Sequence, residues 1–107
     1  MSRKNKYNNT KTEVDGIMFD SKAEARRYGE LLLFERAGEI HNLTLQPRFN
    51  IVVNGVGCGF YKADFAYFTP DERMIEDVKG IATAVYKLKK KLVEAQYGIK
   101  ITEIKYK

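Results

Sequence analysis

The sequence predicts a single α/β (α+β) domain in which a β-hairpin, a helix, three antiparallel strands, a second helix and a last strand follow one another. Three observations lead to this prediction. The length of 107 residues is that of one ordinary domain. Two segments place apolar residues at helical spacing between capping signals. The stretch between them is rich in residues typical of strands, and turn signals interrupt it.

The first 38 residues contain an arm, a hairpin and a helix. Residues 1–11 are polar, basic and rich in asparagine, and we expect them to form a flexible basic arm. The dipeptide Asp15-Gly16 lies between two short apolar runs and favours a type I′ hairpin turn. Ser21-Lys22-Ala23-Glu24 follows with the pattern of a capping box, which predicts the start of a helix. Gly38 predicts its end.

The middle of the chain is predicted to be an antiparallel meander of three strands. The segments 46–53, 59–68 and 73–79 are rich in β-branched and aromatic residues, with turn signals between them. His41 precedes them and is expected to lie in a loop. The meander would place the second and third strands side by side.

A second helix and a final strand complete the predicted domain. Thr83 can cap a helix over residues 83–97, which Gly98 would end. We expect its buried stripe to contain the apolar residues Val85, Leu88, Leu92 and Ala95. Residues 99–105 alternate between apolar and polar and predict the last strand.

The net charge of +5 is unevenly distributed. Residues 1–11 carry four basic residues and no acid, and residues 83–107 carry seven lysines against two glutamates. The segment between them has eight basic and twelve acidic residues. This distribution suits a phosphate polymer held over a metal site, and it also suits a small protein kept soluble by lysine-rich ends.

Several classes of protein are excluded by composition. The single cysteine, Cys58, cannot form an internal disulfide, and with the single histidine, His41, it cannot build a zinc site. No phosphate-loop or dinucleotide-binding motif is present, and the two serines make a serine hydrolase improbable. The sequence has no apolar run of about 18 residues and no hydrophobic segment after its charged start. We therefore expect a soluble, cytoplasmic protein without an organic cofactor.

The remaining candidate chemistry is a set of carboxylates with one lysine. Asp64 interrupts an aromatic strand, where aspartate is disfavoured unless something requires it. Asp77 and Lys79 lie at the end of the next strand, and strand alternation places them on one face and Glu76 on the other. Two such carboxylates side by side would favour a divalent cation. A structural cross-strand ion pair explains the same residues.

The order of these motifs resembles that of the PD-(D/E)XK nuclease superfamily. The segments that carry the resemblance include KYNNTKTEVDGIMFDSKAEARRY, GEIHNLTLQPRF, ADFAYF and EDVKG, and together they cover nearly all of residues 5–105. They look most like a small phage-encoded family similar to phage endonuclease I and the Holliday-junction resolvases. Ala63 stands where the proline of the superfamily's name would precede Asp64.

The resemblance implies a restriction-endonuclease-like core and a DNA endonuclease that depends on Mg²⁺, for which Mn²⁺ substitutes. The catalytic residues would be Glu24, Asp64, Asp77 and Lys79. The metal ligands would be Asp64, Asp77 and the Val78 carbonyl, with Glu24 on a second metal or on its water. Spacing alone favours Glu24 as the partner of the Ser21 amide in a capping box, and the resemblance reverses that preference. A phage-encoded protein of this kind would work in the cytoplasm of the host cell.

DNA, in particular branched DNA such as a Holliday junction, is the expected partner. Two incisions on opposed strands need two sites, so we also expect a homodimer. Lysines of the second predicted helix and basic residues of the arm would bind phosphates: Lys87, Lys89, Lys90, Lys91, Arg3, Lys4, Lys6 and Lys11. A DNA-binding phage accessory protein that keeps the fold without catalysis is the alternative.

Overall fold

The computed structural model describes residues 10–106, which form two helices and eight strands. The predicted hairpin and first helix are present. Their bounds are β1 (Thr12–Val14), β2 (Ile17–Phe19) and α1 (Lys22–Arg36). Five strands follow, which are β3 (His41–Leu45), β4 (Arg48–Val53), β5 (Val56–Lys62), β6 (Phe65–Phe68) and β7 (Arg73–Val78). The chain then forms α2 (Ala84–Tyr97) and β8 (Ile101–Ile104). Arg3, Lys4 and Lys6 lie outside the described residues.

The local turn and capping signals formed as predicted. Asp15 and Gly16 have φ values of 51° and 76°, and two successive positive φ values are the requirement of a type I′ turn. Ser21 caps α1, because its side chain accepts a hydrogen bond from the backbone N–H of Glu24. Thr83 caps α2 in the same way through Tyr86 N–H, and Gly98 ends that helix in the left-handed conformation.

A mixed four-stranded sheet with the order β3-β6-β7-β8 organises the domain. The pairs β3–β6 and β6–β7 are antiparallel, and β7–β8 is parallel. The predicted meander therefore exists, but its first strand is β3 and not the segment 46–53. That segment forms β4, which pairs with β5 in a separate two-stranded hairpin inserted between β3 and β6.

Two details of the predicted elements are wrong. His41 begins β3 instead of lying in a loop, and its ring stacks on Phe68 of the neighbouring strand. The predicted strand 59–68 is divided into β5 and β6. The backbone turns between them, so that β5 pairs with β4 and β6 pairs with β3 and β7. At that break Ala63 N–H donates to Pro47 O, and Asp64 N–H donates to Glu76 O.

The core consists of two layers of side chains on opposite faces of the sheet. Alternation along β6 places Phe65 and Tyr67 in the layer under α1, and Ala66 in the layer under α2. The α2 layer also receives side chains from the β4–β5 hairpin. This arrangement is of the α+β class with a mixed sheet.

The buried face of α2 differs from the predicted stripe. Val85 and Leu88 are 64% and 59% exposed, whereas Tyr86 and Val93 are buried. Tyr86 reaches inward because its hydroxyl donates to Glu103 of β8, so a polar contact as well as apolar burial sets the helix's rotation. Neither helix in residues 10–106 is long and apolar enough to cross a membrane.

Candidate active site

The predicted residues Asp64 and Asp77 lie where β6 begins and β7 ends. Phe65 pairs with Glu76 in the antiparallel register of these two strands. Asp64, one residue before Phe65, therefore lies beside the end of β7, next to Asp77. Its Oδ2 accepts a hydrogen bond of 2.7 Å from the Val78 backbone N–H. This contact fixes the carboxyl of Asp64 against the strand that carries Asp77.

Asp77 is almost fully buried, with 3% of its surface exposed. Its Oδ1 lies 2.9 Å from the Lys79 ammonium, and its Oδ2 accepts a hydrogen bond from the Tyr61 hydroxyl. Burial and this hydrogen bond raise the pKa of Tyr61, so its phenol stays protonated as a donor. The strand alternation therefore brings Asp77 and Lys79 together on one face, as predicted.

Lys79 is held by more than its ion pair. Its Nζ lies 3.9 Å from the centre of the Tyr86 ring, a cation–π distance. Burial and a hydrogen bond to the Glu103 carboxylate raise the pKa of Tyr86. The ring is thus anchored at its hydroxyl while its face contacts the ammonium.

Glu24 lies in the first turn of α1 and faces the same group of charges. Burial raises the pKa of its carboxyl, the negative charges of Asp20 and Asp77 raise it further, and Lys79 opposes the shift. In the described part of the chain, the Glu24 carboxylate makes no hydrogen bond back to the Ser21 amide. The capping box therefore forms in one direction only, and a backbone hydrogen bond at Asp20 lowers the pKa of the Glu24 carboxyl.

The pKa of the Asp64 carboxyl is also raised by its surroundings. Burial raises the pKa of its carboxyl to about 8, with the charges of Asp77 and then Glu24 adding to the shift, while the Val78 amide lowers it. The structure thus brings together all four predicted catalytic residues, Glu24, Asp64, Asp77 and Lys79. Three carboxyls crowded around one lysine destabilise one another's charged forms, and a bound cation would stabilise those forms.

A cavity of about 250 Å³ opens beside these carboxyls. Glu24, Gln46 and Asp64 form its polar lining, and side chains of β2, β3 and β6 form its apolar lining. Gln46 has a φ of 50°, an uncommon conformation for a residue other than glycine. Its N–H donates to Asp64 O at 2.9 Å, so this conformation also holds the backbone of Asp64.

The site can bind a hard divalent cation through two carboxylates, those of Asp64 and Asp77. Within residues 10–106, no group of three or more histidine, cysteine, aspartate or glutamate side chains is arranged to hold a metal ion. Mg²⁺ retains several waters and uses one or two protein carboxylates, so Asp64 and Asp77 suffice for it. Since Lys79 and Tyr61 occupy the oxygens of Asp77, a bound ion would share or replace one of these contacts.

The opposite face of β7 carries a different charged group. Glu76 is 1% exposed and accepts two hydrogen bonds from the Arg27 guanidinium, at 2.8 and 2.7 Å, and one from the Tyr67 hydroxyl. Glu76 and Asp77 therefore point to opposite sides of the sheet, as alternation predicted. Arg27 follows Glu24 by three residues in α1, so its clamp on β7 positions the helix that carries Glu24.

The predicted DNA-binding lysines do not share one environment. Lys87 and Lys91 are exposed on α2, as is Lys11 before β1. Lys90 lies 3.4 Å from the Glu103 carboxylate, so it is paired within the protein. Lys89 is half-buried and faces the ring of Phe60 on β5.

Sequence reasoning missed the two tyrosines that contact Asp77 and Lys79. Tyr61 lies in the aromatic run before Asp64, and its inward position follows from strand alternation once the bounds of β5 are known. Tyr86 lies one helical turn from the cap of α2, and only the fold brings it to Lys79. The proximity of Tyr61 to Asp64 in the sequence was the available signal, and no such signal pointed to Tyr86.

Comparison with known proteins gives a family without an assigned activity. Searches of curated proteins and of solved structures found no match. A family model described as a protein of unknown function, DUF1064, matches residues 4–107. Because this match spans nearly the whole chain, the protein belongs to the DUF1064 family.

Proposed function

We propose that this protein is a Mg²⁺-dependent endonuclease that hydrolyses phosphodiester bonds in DNA and has a restriction-endonuclease-like core. One observation carries the proposal, which is that Asp64, Asp77 and Lys79 converge at the end of the central strands β6 and β7, with Glu24 of α1 facing them. The order of helix, antiparallel meander, helix and parallel strand supports it, because it is the order that the resemblance to PD-(D/E)XK nucleases implies.

Each residue has a role that its surroundings support. Asp64, Asp77 and the Val78 carbonyl would hold the metal, and Glu24 would hold a second ion or its water. When bound, Mg²⁺ supplies a polarised water and neutralises charge on the phosphate, and Mn²⁺ can replace it. Lys79 orients the attacking water and stabilises the negative charge that develops on the phosphate. Tyr61 and Tyr86 hold Asp77 and Lys79 in position.

Lys79→Ala should lower the rate of DNA cleavage by at least about 10²-fold, because it removes a preorganised positive charge from the reacting phosphate. Metal affinity should change much less, since the ammonium is not a ligand. Single-turnover cleavage measures the first effect, and Mn²⁺ titration followed by electron paramagnetic resonance measures the second. Lys100→Ala removes an exposed charge elsewhere and serves as the control. A normal rate in Lys79→Ala would reduce this lysine to the ion-pair partner of Asp77.

We propose branched DNA as the substrate and a homodimer as the active form. Paired incisions require two symmetric sites, and each chain supplies one. We expect light scattering at micromolar concentration to give the mass of two chains, and a four-way junction to be cut on two strands in one binding event. A strict monomer that still makes paired incisions would contradict the dimer. A monomer that only nicks would favour flap or duplex DNA.

A further inference from the structure

A cluster of three cations surrounds one aromatic ring on the β4–β5 hairpin. The Arg48 guanidinium lies 3.9 Å from the centre of the Phe60 ring, and the ammonium groups of Lys62 and Lys89 lie at 5.9 and 5.6 Å. Arg48 and Lys62 are cross-strand partners, and Lys89 reaches the ring from α2. We name these four residues the Phe60 face.

The positive charge of the Phe60 face is not neutralised inside the described part of the chain. None of the ion pairs within residues 10–106 includes Arg48, Lys62 or Lys89. By contrast, Lys90 on the same helix is paired with Glu103. The ring attracts each cation but carries no net charge, so the mutual repulsion of three cations remains. A polyanion bound at this face would relieve that repulsion.

The β4–β5 hairpin that carries most of the Phe60 face is tied to α2 by hydrogen bonds. The Gln96 side chain accepts from Val52 N–H at 3.0 Å and donates to Asn50 O at 3.1 Å. The Tyr97 hydroxyl donates to the same carbonyl at 2.7 Å. Arg48 Nε donates to Asn50 Oδ1 at 3.2 Å, which orients the guanidinium. The backbone of the hairpin and the Arg48 guanidinium therefore have defined positions relative to α2.

The position of the Phe60 face relates it to the candidate active site. Lys62 is the last residue of β5 and precedes Asp64 by two residues. The backbone pairing of β4 with β5 continues to the site, because Ala63 N–H donates to Pro47 O and Gln46 N–H donates to Asp64 O. The hairpin that carries Lys62 is therefore joined to Asp64 through Ala63 alone.

We propose that the Phe60 face binds the phosphate backbone of DNA beside the bond that is cut. This inference rests on the proposed nuclease function and adds a second phosphate-binding surface to the exposed lysines of α2. The recognition is electrostatic and independent of base sequence, because the charged groups match phosphates, which every DNA sequence presents.

The test is the salt dependence of DNA binding, measured by fluorescence anisotropy in EDTA so that no cleavage occurs. The triple variant Arg48→Gln/Lys62→Gln/Lys89→Gln should lower the slope of log affinity against log salt by about 3 on duplex arms, since each phosphate contact contributes about 0.9. Affinity at low salt should fall by at least about 10-fold. Lys62→Gln alone should lower the slope by about 1. This single variant tests the inference if the triple variant does not fold.

The matched control is the triple variant Arg36→Gln/Lys100→Gln/Lys105→Gln, which removes the same formal charge from exposed positions elsewhere. It should change the slope by less than about 1. If the wild type binds and cuts DNA but the two triple variants behave alike, the Phe60 face does not bind the DNA backbone. The proposed nuclease function is then unaffected. If the wild type neither binds nor cuts any DNA, both proposals fall. If Phe60→Leu weakens binding as much as the triple variant, base stacking replaces phosphate binding and contradicts the inference.

Discussion

Asp77→Asn should abolish DNA cleavage while leaving DNA binding intact or tighter. The substitution keeps the size of the side chain and an oxygen that can accept from Tyr61, but it removes the negative charge that attracts a divalent cation. It also leaves Lys79 without its ion-pair partner at 2.9 Å. Because repulsion between the site and phosphate falls, the variant should retain bound DNA without cutting it.

Asp64→Asn should have the same effect by the same physical route. Asp64 is the carboxyl whose pKa burial and the charges of Asp77 and Glu24 raise most clearly, so it belongs to the same charged group. Cleavage and gel-shift assays on one labelled junction measure both properties. Asp71→Asn, in the exposed turn before β7, provides the control and should cut normally. A wild-type cleavage rate in either site variant would show that the metal site is misassigned.

Arg27→Met should destabilise the fold by about 3–5 kcal/mol, since it leaves the buried carboxylate of Glu76 without its opposite charge. Glu76 is 1% exposed, and Arg27 provides two of its hydrogen bonds. The double variant Arg27→Met/Glu76→Gln should recover part of this loss, because it removes the unpaired charge while the glutamine can still accept from Tyr67. Urea unfolding followed by circular dichroism gives the free energies.

The neighbouring residue supplies the control for this prediction. Arg26 pairs with Glu30 at 3.5 Å on the exposed side of α1, and exposed pairs of this kind contribute at most about 1 kcal/mol. Arg26→Met should therefore unfold close to the wild type. If Arg27→Met unfolds within about 1 kcal/mol of the wild type, the clamp between α1 and β7 does not hold the helix in place.

The parts of the fold that could be predicted from the sequence depend on short-range chemistry. Asp15-Gly16 adopts its turn because both residues tolerate positive φ, and Ser21 and Thr83 cap helices through bonds to residues three positions away. The shared face of Asp77 and Lys79 follows from the two-residue period of a strand. These features needed no knowledge of the rest of the chain.

The parts that could not be predicted depend on long-range pairing. The break between β5 and β6 carries no glycine or proline, and it exists because Asp64 donates its N–H to Glu76 O and accepts at its carbonyl from Gln46 N–H. The rotation of α2 likewise follows from the bond between Tyr86 and Glu103, which hydrophobic spacing does not encode. For the same reason the contacts of Tyr61 and Tyr86 with the site were missed.

The central claim is that the group formed by Glu24, Asp64, Asp77 and Lys79 cuts DNA with a divalent cation. The most direct measurement is cleavage of labelled junction, flap, duplex and single-stranded DNA by the wild type and Asp77→Asn, each in Mg²⁺, Mn²⁺ or EDTA. We predict that the wild type cuts the junction in Mg²⁺ and in Mn²⁺ but not in EDTA, and that Asp77→Asn cuts nothing. Absence of cleavage by the folded wild type on every substrate, or equal cleavage in EDTA, would contradict the claim.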